Sequence, residues 1–248
     1  LQVNTFILGV TTLGLGLITP ATASRVGLNR VMNTTNVTQK AVIFGAGAIG
    51  RGFFGQLFSE SGYRITFVDI DEALIQAINT GGYTVHIADD KNPEDIVVHN
   101  VEALHAVREE EAIVKEIARA DILGVALFEG RPLVSAGWRI AEAMKLRRKQ
   151  DIKTPLNVII SLNRLEAASI LRPLIYEHLS DEDCNYCDEK LGLVEAVISR
   201  MGPPITDEQK RQEPAGIWVE AYKVLPVDKG GFKGRIPDIV GLRPVVDL

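Results

Sequence analysis

The sequence predicts an α/β protein built on a doubly wound parallel sheet, a Rossmann-like dinucleotide-binding domain. Three observations predict it. Short apolar runs alternate with helical patterns from Lys40 to about Arg200. A glycine-rich turn, Gly45-Ala46-Gly47-Ala48-Ile49-Gly50, joins the first run to the first helix. An acidic residue, Asp69, closes the second run about 20 residues later.

The elements follow in order. Ala41 to Phe44 is a buried strand that ends at Gly45. Ile49 to Ser61 reads as a helix with Phe53, Phe54, Leu57 and Phe58 on its apolar side, and Gly62 closes it. Arg64 to Asp69 is the second strand, and Glu72 to Asn79 is a helix stopped by Gly81-Gly82. Tyr83 to Ile87 and Asp95 to Asn100 read as short strands around a turn at Asn92-Pro93. Residues 108–120 form an amphipathic helix that buries Ile113, Val114 and Ile117, and Asp121 to Leu127 is again a strand.

A long helix runs from about Pro132 to Arg148, with Leu133, Gly137, Ile140, Ala141 and Met144 at helical spacing. Its basic end, Lys145 to Lys149, reads as a solvated cap that suits the negative end of the helix dipole. Asn157 to Ser161 is a strand; two helical stretches, 164–179 kinked at Pro173 and 181–190, lead to a strand at Leu193 to Ser199. After Arg200 prolines, glycines and polar loops dominate, with one further strand at Ile217 to Val224. The expected organisation is an extension outside the fold (1–38), a dinucleotide-binding domain (39–200) and a loop-rich extension (201–248).

Composition narrows the classes. The chain has 248 residues, 46% apolar and 24% charged, which excludes disordered, collagen-like and coiled-coil chains. A net charge of −5 lacks the footprint of a nucleic-acid binder. The apolar run at 6–18 is too short for a membrane span. Ala21-Thr22-Ala23 resembles a cleavage site, but no basic residue precedes the run, and a start at Met32 is the plainer reading. Cys184 and Cys187 have no second pair and no nearby histidine to complete a zinc site; their acidic neighbours work against a reactive thiolate. No metal site is expected.

The chemistry gathers at the glycine turn. Gly45 permits the tight turn, Gly47 lets backbone approach a pyrophosphate, and Gly50 lets helix pack on strand. The free N–H groups of Ala46, Ala48, Ile49 and their neighbours, with the helix dipole, suit phosphate. Asp69 at the second strand end suits a ribose diol and repels a 2′-phosphate, which argues for NAD over NADP. Asp71 is placed to cap the next helix.

Gly45 to Phe53 (GAGAIGRGF) carries a resemblance that continues through Tyr83-x-Val85-His86, Pro155 to Ile159, Arg200 with Pro203-Pro204, Val219-Glu220, Val227-Asp228-Lys229 and Phe232-Lys233-Gly234. Over about 40–248 the chain resembles the polyol-specific long-chain dehydrogenase family, and Arg51-Gly52-Phe53 points to its sugar-phosphate branch. The resemblance implies reversible hydride transfer between NAD and a sugar alcohol phosphate, without a metal, in the cytoplasm. It implies a catalytic Asn163 as a donor to the developing alkoxide, and Lys229 or Lys233 as possible contacts for a substrate phosphate beside their plainer role as loop lysines.

It also implies a helical domain with a Lys base, then Asn, then His three residues on. His86, His99, His105 and His178 follow Tyr83, Ile96, Glu102 and Ile175 at that spacing, so the motif does not occur in this sequence. Leu162 and Ser199 stand where the family carries carboxylates. The expectation is an NAD-binding part whose C-terminal helical domain and general base lie outside this sequence. The alternative is a diverged NAD-binding module without dehydrogenase activity. Either way, the missing helical domain should leave apolar surface near 200–248 and promote self-association.

Overall fold

The computed structural model describes residues 38–89, 93–162, 164, 166–246 and 248. The readings of 1–37, including the apolar run, the cleavage pattern and Met32, lie outside the described residues, as does Asn92 of the expected turn.

In chain order the strands are β1 (Lys40–Phe44), β2 (Arg64–Asp69), β3 (Tyr83–Ile87), β4 (Glu94–Val98), β5 (Val101–His105), β6 (Ile122–Val125), β7 (Leu156–Ile160), β8 (Leu191–Glu195), β9 (Ile217–Val219), β10 (Leu225–Asp228) and β11 (Leu242–Val245). The helices are α1 (Gln56–Glu60), α2 (Glu72–Gly81), α3 (Glu110–Arg119), α4 (Arg131–Lys149), α5 (Ala167–Tyr176), α6 (Asp181–Lys190) and α7 (Asp207–Gln212). A π-helical segment, Gly50–Gly55, runs into α1.

Six strands form one parallel sheet in the order β5-β2-β1-β6-β7-β8. This is the doubly wound order: the chain builds outward from β1 to one side, then returns to build the other. Apart from the edge strand β5, the strands are largely buried on both faces and alternate between two cores. Ala41 and Ile43 of β1 face a cluster with Phe53, Leu57 and Phe67, while Val42 and Phe44 face Ile113, Ile140 and Met144. The period of two carries alternate side chains to opposite faces. β3, β4 and β9 make a separate three-stranded sheet, and β10 pairs with β11. Ile217, Val219, Leu225 and Val227 join the same core as β1.

Several expectations shift. β5, an edge strand of the main sheet, was not expected: VEALH lacks strict alternation, and pairing with β2 decides it. The strand read at 193–199 is β8, Leu191–Glu195, and that read at 217–224 is the shorter β9. α7, β10, β11 and the π-helical segment were also not expected. The last is packed tightly against other elements. A Cβ on Gly52 would lie 2.6 Å from Val219 Cγ1, and one on Gly55 would lie 2.1 Å from the Tyr83 hydroxyl. Both positions therefore require glycine for the close approach of neighbouring chain.

The basic end of α4 is not wholly a solvated cap. Arg147 is buried and donates to Ala118 O at 2.8 Å, Ala120 O at 3.2 Å and Thr154 O at 2.6 Å. It staples α4 to the loops before β6 and β7. Arg148 pairs outside with Asp183 at 2.6 Å and Glu182 at 2.9 Å.

The small sheet carries a titratable clamp. His86 stacks on Trp218, and its Nδ1 and Nε2 meet Asp95 at 2.7 Å and Glu213 at 2.8 Å. Burial lowers its pKa, but the hydrogen bonds and charges of Glu213 and Asp95 outweigh this and raise it above its ordinary 6.5. Below pH 6.5 the folded and unfolded states are both protonated and the stabilisation is full; it is lost as pH rises through the folded value. Stability should therefore fall by up to about 1 kcal/mol across that window, since Asp95 is exposed and screened. His86→Gln should flatten this dependence in urea titrations run at successive pH values; an unchanged slope would contradict the clamp.

Candidate functional site

The glycine turn sits at the carboxyl end of β1, where β1 and β6 are neighbours and the strand order reverses. Ligands of open α/β sheets bind in the crevice at this point. Gly45 adopts φ +89°, and its N–H donates to Val68 O at 2.9 Å, so the chain turns sharply against β2. A Cβ at Gly50 would lie 1.8 Å from Gly45 O. Gly50 is therefore required by the protein's own packing. Gly47 differs: a Cβ there would meet nothing within 4 Å. Nothing inside the chain demands glycine at 47, and the open space above it suits an approaching ligand.

The helix starts at once. Arg51 N–H donates to Gly47 O at 2.9 Å, so the N–H groups of the first turn lack carbonyl partners within the helix. Ala46 is an exception to the expected phosphate cradle, because its N–H donates to Asp69 Oδ2 at 2.6 Å. Asp69 Oδ1 accepts from Ile70 N at 2.7 Å and Asp71 N at 3.0 Å. Three of the carboxylate's roughly four acceptor positions are thus taken by backbone, leaving about one for a ribose hydroxyl. Asp69 braces the turn as well as facing the cleft. Asp71 accepts from Leu74 N at 3.1 Å and caps α2.

Two cavities meet over this turn. One, of about 620 Å³, is lined by Gly45, Gly47, Asp69, Ile70, Val107 and the start of α4. The other, of about 500 Å³, lies toward β7 and β8 and is lined by Ile49, Leu162, Arg164, Val197, Ile198 and Arg200. Ala126, Leu127 and Phe128 border both, and the Phe128 ring is 89% exposed. The geometry can hold a diphosphate at the helix start with one nucleoside on each side.

Two buried arginines frame the turn. Arg51 donates to Ala46 O at 2.5 Å and to the carbonyls of Ala215 and Gly216, and burial lowers its pKa. Arg200 donates to Glu220 O at 2.6 Å, Gly52 O at 2.7 Å and Gln56 Oε1 at 2.6 Å, over the Phe53 ring. Burial pulls its pKa down to about 10. The sequence did not single out either one for this role. The available signal was a charge placed within an otherwise apolar, glycine-rich stretch.

The other candidates are dispersed. Asn163 lies outside the described residues. Leu162 is buried in the wall of the second cavity, and Ser199 is exposed. Lys233 stands beside Asn157, at the amino end of β7 and the opposite end of the sheet from the glycine turn. Lys229 lies in the 3₁₀ turn after β10. Cys184 and Cys187 both lie in α6, and burial, then the neighbouring charges, raise both thiols, Cys187 to about 12. Among the described residues no three His, Cys, Asp or Glu side chains gather to hold a metal. No described helix is long and apolar enough to cross a membrane.

Comparison with known proteins agrees with this geometry. The family described as the mannitol dehydrogenase Rossmann domain matches residues 39–241. A mannitol-1-phosphate 5-dehydrogenase of Anoxybacillus flavithermus is 34% identical over 209 residues, covering 84% of this chain and 53% of the relative. One of Thermoanaerobacter pseudethanolicus is 36% identical over 210 residues, covering 84% and 52%. The chain thus spans about half the length of the curated relatives it matches. The structure of Pseudomonas fluorescens mannitol 2-dehydrogenase, a ternary complex with NAD and D-mannitol, matches with a TM-score of 0.68 at 14% identity. That match covers 86% of this chain and 54% of the other, and at this identity it speaks for the fold. With the doubly wound order, the glycine turn and a family match over most of its length, the chain belongs to the mannitol dehydrogenase family, whose Rossmann domain it carries.

Proposed function

We propose that this chain is the NAD-binding part of a cytoplasmic polyol phosphate dehydrogenase acting on mannitol 1-phosphate and fructose 6-phosphate. The observation that carries the reading is the open space above Gly47 beside the carboxylate of Asp69. Gly47, Ala48 and Ile49 would hold the pyrophosphate by backbone N–H, and Asp69 would accept from the adenosine ribose. NAD, when bound, supplies the hydride acceptor for alcohol oxidation. The chain's own residues position it: Arg51 and Arg200 hold the helix start, and Leu162, Val197 and Ile198 give an apolar side to the cavity toward β7 and β8.

Asp69 gives the first test. Asp69→Ser removes the charge that opposes a 2′-phosphate and frees the Ala46 N–H. NADH affinity should drop about 10-fold to 100-fold, and the preference over NADPH should shrink at least tenfold. Fluorescence titration with both cofactors measures it. An unchanged preference would remove Asp69 from the ribose site.

A second reading has its own observation. The cavity toward β7 and β8 has no Asp, Glu, His or Lys among its described lining residues, so it contains no group able to serve as general base there. This favours either a base supplied from outside the described residues or an NAD-binding module without turnover. The preference for the first rests on the chain spanning half of its relatives. Self-association belongs to both readings, because Met201, Tyr222, Val240, Val246 and Leu248 expose apolar surface.

A further inference from the structure

His86 is held between two carboxylates. Its Nδ1 lies 2.7 Å from Asp95 Oδ1 and its Nε2 lies 2.8 Å from Glu213 Oε2. A carboxylate only accepts, so both contacts are hydrogen bonds only when both ring nitrogens carry a proton. The geometry is that of an imidazolium. Asp95 comes from β4 and Glu213 from the segment after α7, and theirs are the charges that act on the ring. β9 presents the Trp218 ring, which stacks on the imidazole with centroids 4.3 Å apart. Burial works against the Glu213 carboxylate, but hydrogen bonds from Thr84 and His86 outweigh it and hold its pKa below the ordinary value.

Glu213 connects this ring to the glycine turn. A Cβ on Gly216 would lie 3.0 Å from Glu213 Oε2, the oxygen that meets His86. Gly216 N–H donates to Glu213 O at 3.0 Å. The carbonyls of Ala215 and Gly216 accept from Arg51 Nη1, and Arg51 Nε donates to Ala46 O at 2.5 Å. Ala46 N–H then donates to Asp69 Oδ2 at 2.6 Å. A second contact runs beside the first. His86 is in register with Trp218, and Val219, the next residue of β9, packs on Gly52 at the helix start. An unbroken series of contacts thus joins the imidazole to the carboxylate proposed for the ribose.

Loss of the proton breaks the pattern at one end. A neutral imidazole keeps one N–H, so one ring nitrogen turns a lone pair toward a carboxylate oxygen. That pair must part or take in water. The Asp95 side chain is 69% exposed and turns to solvent freely, whereas that of Glu213 is 34% exposed. Glu213 then keeps at most a neutral donor, and a charge-assisted hydrogen bond is about twice as strong as a neutral one. Arg51 takes two of its acceptors from the segment that Glu213 anchors. We propose that His86 is a proton-dependent brace for the cofactor turn: protonated, it fixes the 213–219 segment that seats Arg51 against Ala46, and losing the proton loosens the turn and weakens dinucleotide binding. The proposal rests on the reading of this turn as the NAD site.

Fluorescence titrations of the full chain with NADH, from about pH 6 to about pH 9, test it. The dissociation constant should rise about threefold to fivefold across that window in the wild type. His105 precedes Val107, in the wall of the first cavity, so the contribution of His86 is read as a difference between proteins. His86→Gln and Glu213→Gln should both flatten the profile. Asp95→Asn should keep it with a midpoint at lower pH, because Asp95 raises the histidine's pKa but makes no contact on the path to Arg51. A flat wild-type profile, or an undiminished slope in His86→Gln or Glu213→Gln, would overturn the brace. Hydrogen exchange of residues 45–52 in the free chain, corrected for the intrinsic rate at each pH, should rise over the same window in the wild type and not in His86→Gln. Should NADH bind at no pH, the cofactor reading fails and the exchange decides the brace alone. Equal protection at both ends of the window would then overturn it.

Discussion

Gly47→Val should abolish the thermal shift caused by NADH while leaving the protein folded, and Gly50→Ala should do the reverse. The two glycines sit in one turn, yet a Cβ meets nothing within 4 Å at Gly47 and lies 1.8 Å from a backbone carbonyl at Gly50. Valine at 47 loses a favourable helix cap, a cost of about 1 kcal/mol. Alanine at 50 forces strand from helix, a cost upwards of about 3 kcal/mol. At ~2–4 °C per kcal/mol for a chain this size, the melting point should drop roughly 2–4 °C in the first and 6–12 °C or more in the second. NADH at a hundred times its Kd adds about 2.7 kcal/mol to the wild type, a shift of roughly 5–10 °C. Gly47→Val should lose that shift, because its side chain occupies the space a pyrophosphate needs. Scanning fluorimetry with and without NADH reads both effects. A full NADH shift in Gly47→Val would end the assignment of this turn to the cofactor.

The second large effect belongs to Arg200. Its side chain joins the segment after β8, the π-helical segment and the segment after β9 through three hydrogen bonds of 2.6 to 2.7 Å. Arg200→Met keeps the apolar stem over Phe53 but leaves Glu220 O, Gly52 O and Gln56 Oε1 without that donor. Each dry, unpaired acceptor costs about 1–3 kcal/mol, so the loss should reach about 3–6 kcal/mol. Urea unfolding should show a lower midpoint at an unchanged slope. Arg200→Lys should recover only part, since an ammonium cannot span three acceptors with the fixed fork of a guanidinium. A midpoint within experimental error of wild type in Arg200→Met would show that the three segments hold together without it. Burial lowers the Arg200 pKa, which marks the guanidinium as a charge the fold must desolvate and then satisfy. One nitrogen, Nη2, is buried without a partner among the described residues.

How far the site was legible varies by residue. Gly45, Gly50 and Asp69 stand where the motif spacing placed them, because a βα turn has few ways to be built. Gly47 and Gly50 look alike in the sequence, and only the surroundings separate an internal demand for glycine from an external one. Ala46 was read as a phosphate donor, yet its N–H is spent on Asp69. Arg51 and Arg200 gave no periodic signal, since each has a carbonyl partner far along the chain, Ala215 for Arg51 and Gly52 for Arg200. Lys233 reads from the sequence as a loop lysine or a phosphate contact, and the pairing of its backbone with Asn157 sets it at the amino end of β7.

The sequence by itself determined the doubly wound sheet, its glycine turn and the acidic strand end. Each depends on local periodicity and on residues close together in the chain, where backbone geometry leaves little choice. The tertiary structure alone decided the edge strand β5, the π-helical segment and the courses of Arg147 and Arg200. These depend on contacts between residues of separate elements, or on space left between packed elements. No local pattern encodes either one, because packing and desolvation act only once the chain has closed on itself.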